Sequence, residues 1–155
     1  MTGSCAQYIE APTHHTGSGT PSVFLAGGIT DCPDWQSQAV ALLGSLSIVI
    51  FNPRRADFPI HDPGAASEQI NWEFTHLSRA QVILFWFPDS GPTPQPIALY
   101  ELGRHVALGH RVAVGADPAY VRRADVLIQL GLARPDCQVR ATLEDACADV
   151  AEHVT

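Results

Sequence analysis

Glu101 is the residue of this chain best placed for covalent chemistry. It sits in the run Pro96-Ile97-Ala98-Leu99-Tyr100-Glu101-Leu102-Gly103-Arg104. The run reads as a helix opened by Pro96, just past the loop that follows the most apolar stretch of the chain. A carboxylate near a helix N-terminus faces the positive end of the dipole and is expected to stay ionised. It is then available as a nucleophile; a solvated helix glutamate is the alternative. Glu73, beside Trp72 on the preceding helix, is a second carboxylate placed to hydrogen-bond a flat ring or to move a proton. Trp72 and Phe87 offer surface on which such a ring could stack, with core packing as the ordinary reading and the preferred one for Trp86.

Three further groups fall at the ends of predicted strands. Arg54 and Arg55, in Asn52-Pro53-Arg54-Arg55, are suited to clamp a phosphate or pin a carboxylate, or else to pair with Asp57 or Asp62. Asn52 could reach a sugar hydroxyl or cap its turn. Gly27-Gly28 would let a ligand approach the backbone closely, although neither a GxGxxG fingerprint nor a phosphate-binding P-loop is present. Asp31, Asp34, Asp57 and Asp89 lie in loops at the same presumed rim, where solvation is the default.

The remaining polar chemistry narrows the field. All nine basic residues are arginine and lysine is absent, which excludes a Schiff-base lysine. Sixteen acidic groups give a formal charge of −7, and no basic stripe marks a nucleic-acid binder. Cys5, Cys32, Cys137 and Cys147 match no zinc or CxxC spacing. His76, His105 and His110 form no recognisable ligand set, so no metal and no cofactor is expected. No apolar stretch approaches a membrane span, and the first residues lack the character of a signal peptide. Free thiols in the reducing cytoplasm are the expectation.

The elements that must position these groups alternate regularly. Residues 1 to about 20 are polar and read as a flexible arm, with His14 and His15 as part of a solvated tail. Residues 21–155 then form one domain. Strands are expected at residues 22–26, 47–51, 81–87, 111–115 and around 138–139, and helices at about 34–44, 67–79, 96–108, within 118–132 and at 143–153. Ile70, Phe74 and Leu77 mark the expected apolar face of the second helix, and Thr142 the N-cap of the last. The near-continuous apolarity from Val82 to Phe87 is that of a central strand covered on both faces. Such a chain builds a flavodoxin-like three-layer α/β sandwich with a five-stranded, mainly parallel sheet, with ligands beyond the C-terminal strand ends.

Four segments in this order resemble the nucleoside 2-deoxyribosyltransferase-like proteins, a superfamily that includes nucleotide N-glycoside hydrolases. They are Val23-Phe24-Leu25-Ala26-Gly27-Gly28, Asn52-Pro53-Arg54-Arg55, Trp72-Glu73 with Leu77, Ala80 and the run to Phe87, and Leu99-Tyr100-Glu101-Leu102-Gly103. With residues 120–129 the likeness spans about residues 22–130. The resemblance implies a glutamate in a Glu-hydrophobic-Gly motif that attacks the anomeric carbon, the position of Glu101, with Gly103 allowing close helix packing. It implies a nucleoside or nucleoside 5'-monophosphate as substrate, no cofactor, and a homodimer. Where the transferases carry an aspartate before this motif, the chain has Thr93-Pro94-Gln95-Pro96, and the nearest acid is Asp89. Glu73 lies one residue away from the family's usual Asn-acid pairing. A non-catalytic nucleotide- or nucleoside-derivative-binding protein on the same scaffold is the alternative.

Overall fold

The computed structural model describes residues 5–17 and 19–155. Its strands are β1 (Gln7–Glu10), β2 (Ser22–Gly27), β3 (Val49–Asn52), β4 (Val82–Phe87), β5 (Val112–Ala116) and β6 (Val139–Arg140). Its helices are α1 (Trp35–Leu43), α2 (Ala65–Arg79), α3 (Pro96–Ala107), α4 (Arg123–Ala133) and α5 (Leu143–Val154). The strands form one parallel sheet in the order β1-β3-β2-β4-β5-β6.

The pleat divides the core into two layers, because successive strand residues point to opposite faces. Phe24, Ala26, Val49, Phe51, Ile83, Phe85, Phe87, Val112 and Val114 meet Trp72, Leu77, Ala98, Leu102, Val126 and Leu130 of α2, α3 and α4. Val23, Leu25, Ile48, Ile50, Val82, Leu84, Trp86 and Ala113 meet Trp35, Ala39, Leu43, Leu143, Ala146, Cys147 and Val150 of α1 and α5. All six residues of β4 are buried, as expected for a strand covered on both sides.

The sheet has six strands rather than the expected five. The extra strand lies in the segment expected to be an arm: Gln7–Glu10 pairs in parallel with Val49–Asn52 at the sheet edge. Its sequence is short and polar at both ends, so main-chain bonds rather than an apolar run mainly hold it. The segment after β1 is pinned to α2. Trp72 Nε1 donates to Thr13 O at 2.7 Å, and the main-chain N–H of His15 donates to His76 Nε2 at 3.2 Å. Residues 1–4 and 18 of the expected arm lie outside the described residues.

Local capping follows the sequence closely. Asp34 accepts from Ser37 N, Thr142 accepts from Asp145 N, and Pro96 occupies the first turn of α3. The face of α2 is a correction. Trp72, His76 and Leu77 are buried, whereas Ile70 and Phe74 are 65% and 53% exposed. The two large rings Trp72 and His76, stacked with centroids 4.3 Å apart, fill the space over β2 and β3 and roll Ile70 and Phe74 outward.

Candidate active site

Chain order fixes where a cleft can open. β3 and β4 lie on either side of β2, so the loops after β2 and β4 diverge at a topological switch point. A cavity of about 560 Å³ lies there. Ala26–Thr30 form one edge, Pro53 and Phe58 a second, and Ala66, Gln69, Ile70 and Glu73 of α2 face Thr93, Gln95 and the first turns of α3, as far as Glu101.

Both candidate carboxylates line this cavity. Glu101 is pushed up to about 8 by burial, with repulsion from Glu73 adding to the effect and Arg104 opposing it. Glu73 is also raised by burial, offset in part by the hydrogen bond it accepts from Gln69. The expectation that the helix dipole keeps Glu101 ionised is therefore overturned. Glu101 is the sixth residue of α3, beyond the first turn where the dipole acts, and desolvation plus a like charge dominate. Gly103 is a second correction, since a Cβ added there meets nothing within 4 Å. It has no close-packing role and faces a groove between α3 and α4.

Gly27 and Gly28 also line the cavity, but the need for glycine comes from behind them. A Cβ on Gly27 would lie 2.1 Å from Trp86 O, and one on Gly28 would lie 2.3 Å from Cys32 Sγ. Gln95 bolts the two loops together: its Oε1 accepts from Gly28 N at 2.9 Å, and its Nε2 donates to Pro88 O and Ser90 Oγ. The residue standing in the acid-free run before α3 is thus a structural tie, held at φ 53°.

The other predicted site residues fall outside the lining. Asn52 is buried as a turn cap, accepting from Arg54 N and donating to Tyr8 Oη. Arg54 donates to Pro33 O, Gln36 Oε1 and Cys32 O and approaches Asp34, stitching the loop before α1. Arg55 pairs with Glu68 at 3.4 Å and lies over the ring of Phe58, so it touches a lining residue without lining the cavity itself. Trp72 and Phe87 are fully buried, Trp72 stacked on His76 and Phe87 on Tyr120. Neither is available to a ligand, and Trp86 packs in the opposite layer. Asp31 is exposed, and Asp89 caps its own turn by accepting from Gly91 N.

Sequence reasoning missed Gln69, Phe58, Thr30, Thr93 and Ile97. Gln69 carried a signal: it stands four residues before Glu73 and so shares its helix face. Among the described residues, no group of three or more His, Cys, Asp or Glu is placed to hold a metal ion. No described helix is long and apolar enough to cross a membrane.

A family model for nucleoside 2-deoxyribosyltransferase-like proteins matches residues 20–120, the segment that builds β2 to β5 and every wall of the cavity. The chain belongs to the nucleoside 2-deoxyribosyltransferase-like family. A comparison with curated proteins gave no match. The family brings N-glycosidic-bond chemistry and nucleoside substrates to this fold. The matched segment includes both cavity carboxylates and excludes β1, β6 and α5.

Proposed function

We propose that the cavity cleaves or transfers the N-glycosidic bond of a nucleoside, with Glu101 as nucleophile and Glu73 as its proton partner. The observation that carries this reading is the carboxylate pair itself. Two glutamates close enough to repel each other line one largely apolar cavity at the switch point of the sheet. Such a pair retains a proton over the neutral range and titrates as a unit. The shared proton rests on Glu101, so attack proceeds from the form in which that proton has passed to Glu73, and one site then holds an attacking oxygen and an acid. Glu101 forms a bond to the anomeric carbon while the bond to the base nitrogen breaks. The base leaves with that electron pair and takes the proton from Glu73. Water, or a second base, then attacks the anomeric carbon, gives up its proton to the Glu73 carboxylate and releases the Glu101 carboxylate. This is double displacement through an oxocarbenium-like state.

A non-catalytic binding role is less well supported. It would leave Glu101 buried against Arg104 or Arg55 without a cavity. Here Glu101 lines open space, Arg104 lies 4.5 Å over the ring of Phe74, and Arg55 pairs with Glu68. A 5'-phosphate, if the substrate carries one, falls to Arg55, since the donors of Arg54 are engaged by the loop before α1 and by Gln36.

The test is incubation with a panel of nucleosides and 5'-monophosphates, with free base read by chromatography. Glu101→Gln keeps the size, removes the attacking charge and abolishes turnover. A rapid quench with a slow substrate traps a sugar ester on the Glu101 peptide, seen as a mass increase. Normal turnover by Glu101→Gln, or an adduct on another carboxylate, overturns the assignment. The same reading includes a homodimer, supported by the exposed apolar side chains Ile70, Phe74, Ile97 and Tyr100 on α2 and α3. A monomer mass by light scattering across micromolar concentrations rules it out.

A further inference from the structure

Gln95 stands in backbone that a residue with a side chain rarely adopts. Its φ is 53°, in the left-handed region that costs free energy for residues other than glycine. It is buried, and both ends of its amide are engaged. Oε1 accepts from Gly28 N at 2.9 Å, while Nε2 donates to Pro88 O at 3.0 Å and to Ser90 Oγ at 2.9 Å. Turning the amide over would set donor against donor at Gly28 and oxygen against oxygen at Pro88, so these bonds fix its direction. Strained backbone persists only where its surroundings over-determine it, and it clusters at functional sites.

The two loops that Gln95 joins are each held from behind. On one side, Gly28 O accepts from Trp35 Nε1 at 3.0 Å and from Gln36 Nε2 at 3.3 Å, so α1 grips the same residue. A Cβ on Gly28 would lie 2.6 Å from Gln95 Oε1, so the loops come this close only with glycine there. On the other side, Ser90 Oγ donates to Thr93 O at 2.8 Å, and Tyr120 Oη donates to Pro94 O. Gln95 is also the N-cap of α3, its main-chain oxygen accepting from Leu99 N at 3.2 Å. A continuous path of hydrogen bonds and helix therefore joins Gly28, on one wall of the cavity, to Glu101, on another. The gap between those walls is set at Gln95.

We propose that Gln95 is a positioning residue for the nucleophile: it clamps the loop after β2 to the start of α3 and so fixes how far Glu101 stands from a sugar resting on the Gly28 wall. The inference rests on reading the cavity as an N-glycosidic site. The amide of Gln95 is spent on the protein, so its part is independent of which base the substrate carries. Positioning acts on the reacting step more than on binding, and a misplacement of about 1 Å costs on the order of a hundredfold in rate. The loss on breaking the clamp therefore falls on kcat, alike for every substrate.

The test uses two variants. Gln95→Met keeps the length of the side chain and removes all three bonds. Ser90→Ala removes one partner of the clamp at a residue outside the cavity lining. kcat and KM are measured over the panel of nucleosides and 5'-monophosphates, and amide exchange is followed without substrate. In Gln95→Met the Gly28 amide, bonded to Gln95 Oε1, is expected to lose about tenfold or more in protection while β4 keeps its own. kcat is expected to fall by roughly a hundredfold, with KM within about threefold, and by a similar factor for each substrate the native protein turns over. Ser90→Ala is expected to lower kcat about three- to tenfold in the same pattern, and it decides the matter if Gln95→Met loses the protection of β4. A kcat close to native once Gly28 protection is lost overturns the proposal and leaves the reaction standing. Unchanged Gly28 protection also overturns it, because the clamp is then not what holds the loop. A defect confined to one base or to phosphorylated substrates marks Gln95 as a substrate contact and overturns it too. Absence of turnover by the native protein removes the reaction and the positioning role together.

Discussion

Glu101→Gln should make the folded protein more stable in alkaline solution, an outcome independent of any substrate. A carboxyl with a folded value near 8 against an ordinary 4.5 holds its proton more tightly in the native state than in the unfolded chain. Between those two values the native state binds the extra proton, so stability falls as pH rises through this window. Worked at about 1.36 kcal/mol per tenfold change in proton affinity, the whole interval is about 5 kcal/mol. Solvent at the cavity mouth screens part of this, and about 2–3 kcal/mol is the difference expected by pH 9. Glutamine is isosteric and cannot ionise, so the variant escapes the loss. Urea unfolding of both proteins from pH 5 to pH 9 reads the effect directly. The curves should lie close together at pH 5, separate from there to about pH 8 and then run parallel, with the variant higher. A stability difference that does not change with pH, or a variant that is weaker at pH 9, would refute the claim that Glu101 is held in a desolvated, like-charged site.

Three other outcomes follow from the same geometry. Gly27→Ala should cost about 3 kcal/mol or more, since its Cβ would strike Trp86 O and force β2 and β4 apart. Gly103→Ala, in open space within α3, should gain up to about 1 kcal/mol; thermal melts of the two variants check the opposite signs. The third concerns His76, which is fully buried and held below its ordinary value by burial, with His14, Arg79 and His15 adding repulsion against the opposing bond to Trp72 O. Its Nδ1–H faces Trp72 O and its Nε2 accepts from His15 N, so stability is present above pH 6.5 and is lost as pH falls below it. Protection factors of the amides at residues 13–17 should fall on acidification, and His76→Phe should remove that fall.

The order of elements was legible because long apolar runs leave little choice of period. Val82–Phe87 has no polar face to turn outward, and the sheet buries it wholly. The candidate site was legible to the level of its loops but not of its side chains. Trp72 and Glu73 are adjacent in sequence, yet about 100° apart around a helix. One goes under the sheet layer and the other into the cavity. Phe87 ends β4 at the rim, but the pleat turns it inward onto Tyr120. Asn52 and Arg54 sit at the expected height, but Asn52 caps its own turn and Arg54 bonds across to the loop before α1. Strand ends give position along the sheet, whereas direction depends on face and register. β1 escaped notice for a related reason: an edge strand held by main-chain bonds has no need of an apolar run.

Charge placement sets the cavity carboxylates apart from the rest of the molecule. The ion pairs among the described residues join Arg54 to Asp34, Arg55 to Glu68, Arg122 to Asp125, Arg134 to Asp136 and Arg140 to Asp149. None reaches Glu73 or Glu101, although Arg104 stands three residues from Glu101 on α3. Such a spacing ordinarily favours a helical ion pair. Instead the Arg104 guanidinium lies over the exposed ring of Phe74, an attraction of about 0.5–1 kcal/mol at a surface site. A modest contact suffices, because an exposed helical pair is worth no more. The result is a cation close enough to temper the proton affinity of Glu101 yet not bonded to its carboxyl. A paired Glu101 would be ionised at neutral pH but occupied. An unpaired one in a largely apolar wall is mostly protonated at neutral pH and faces the cavity, as the proposed nucleophile must. The outward roll of Phe74, a departure from the amphipathic pattern of α2, is what puts an aromatic ring in reach of Arg104 and keeps that carboxyl free.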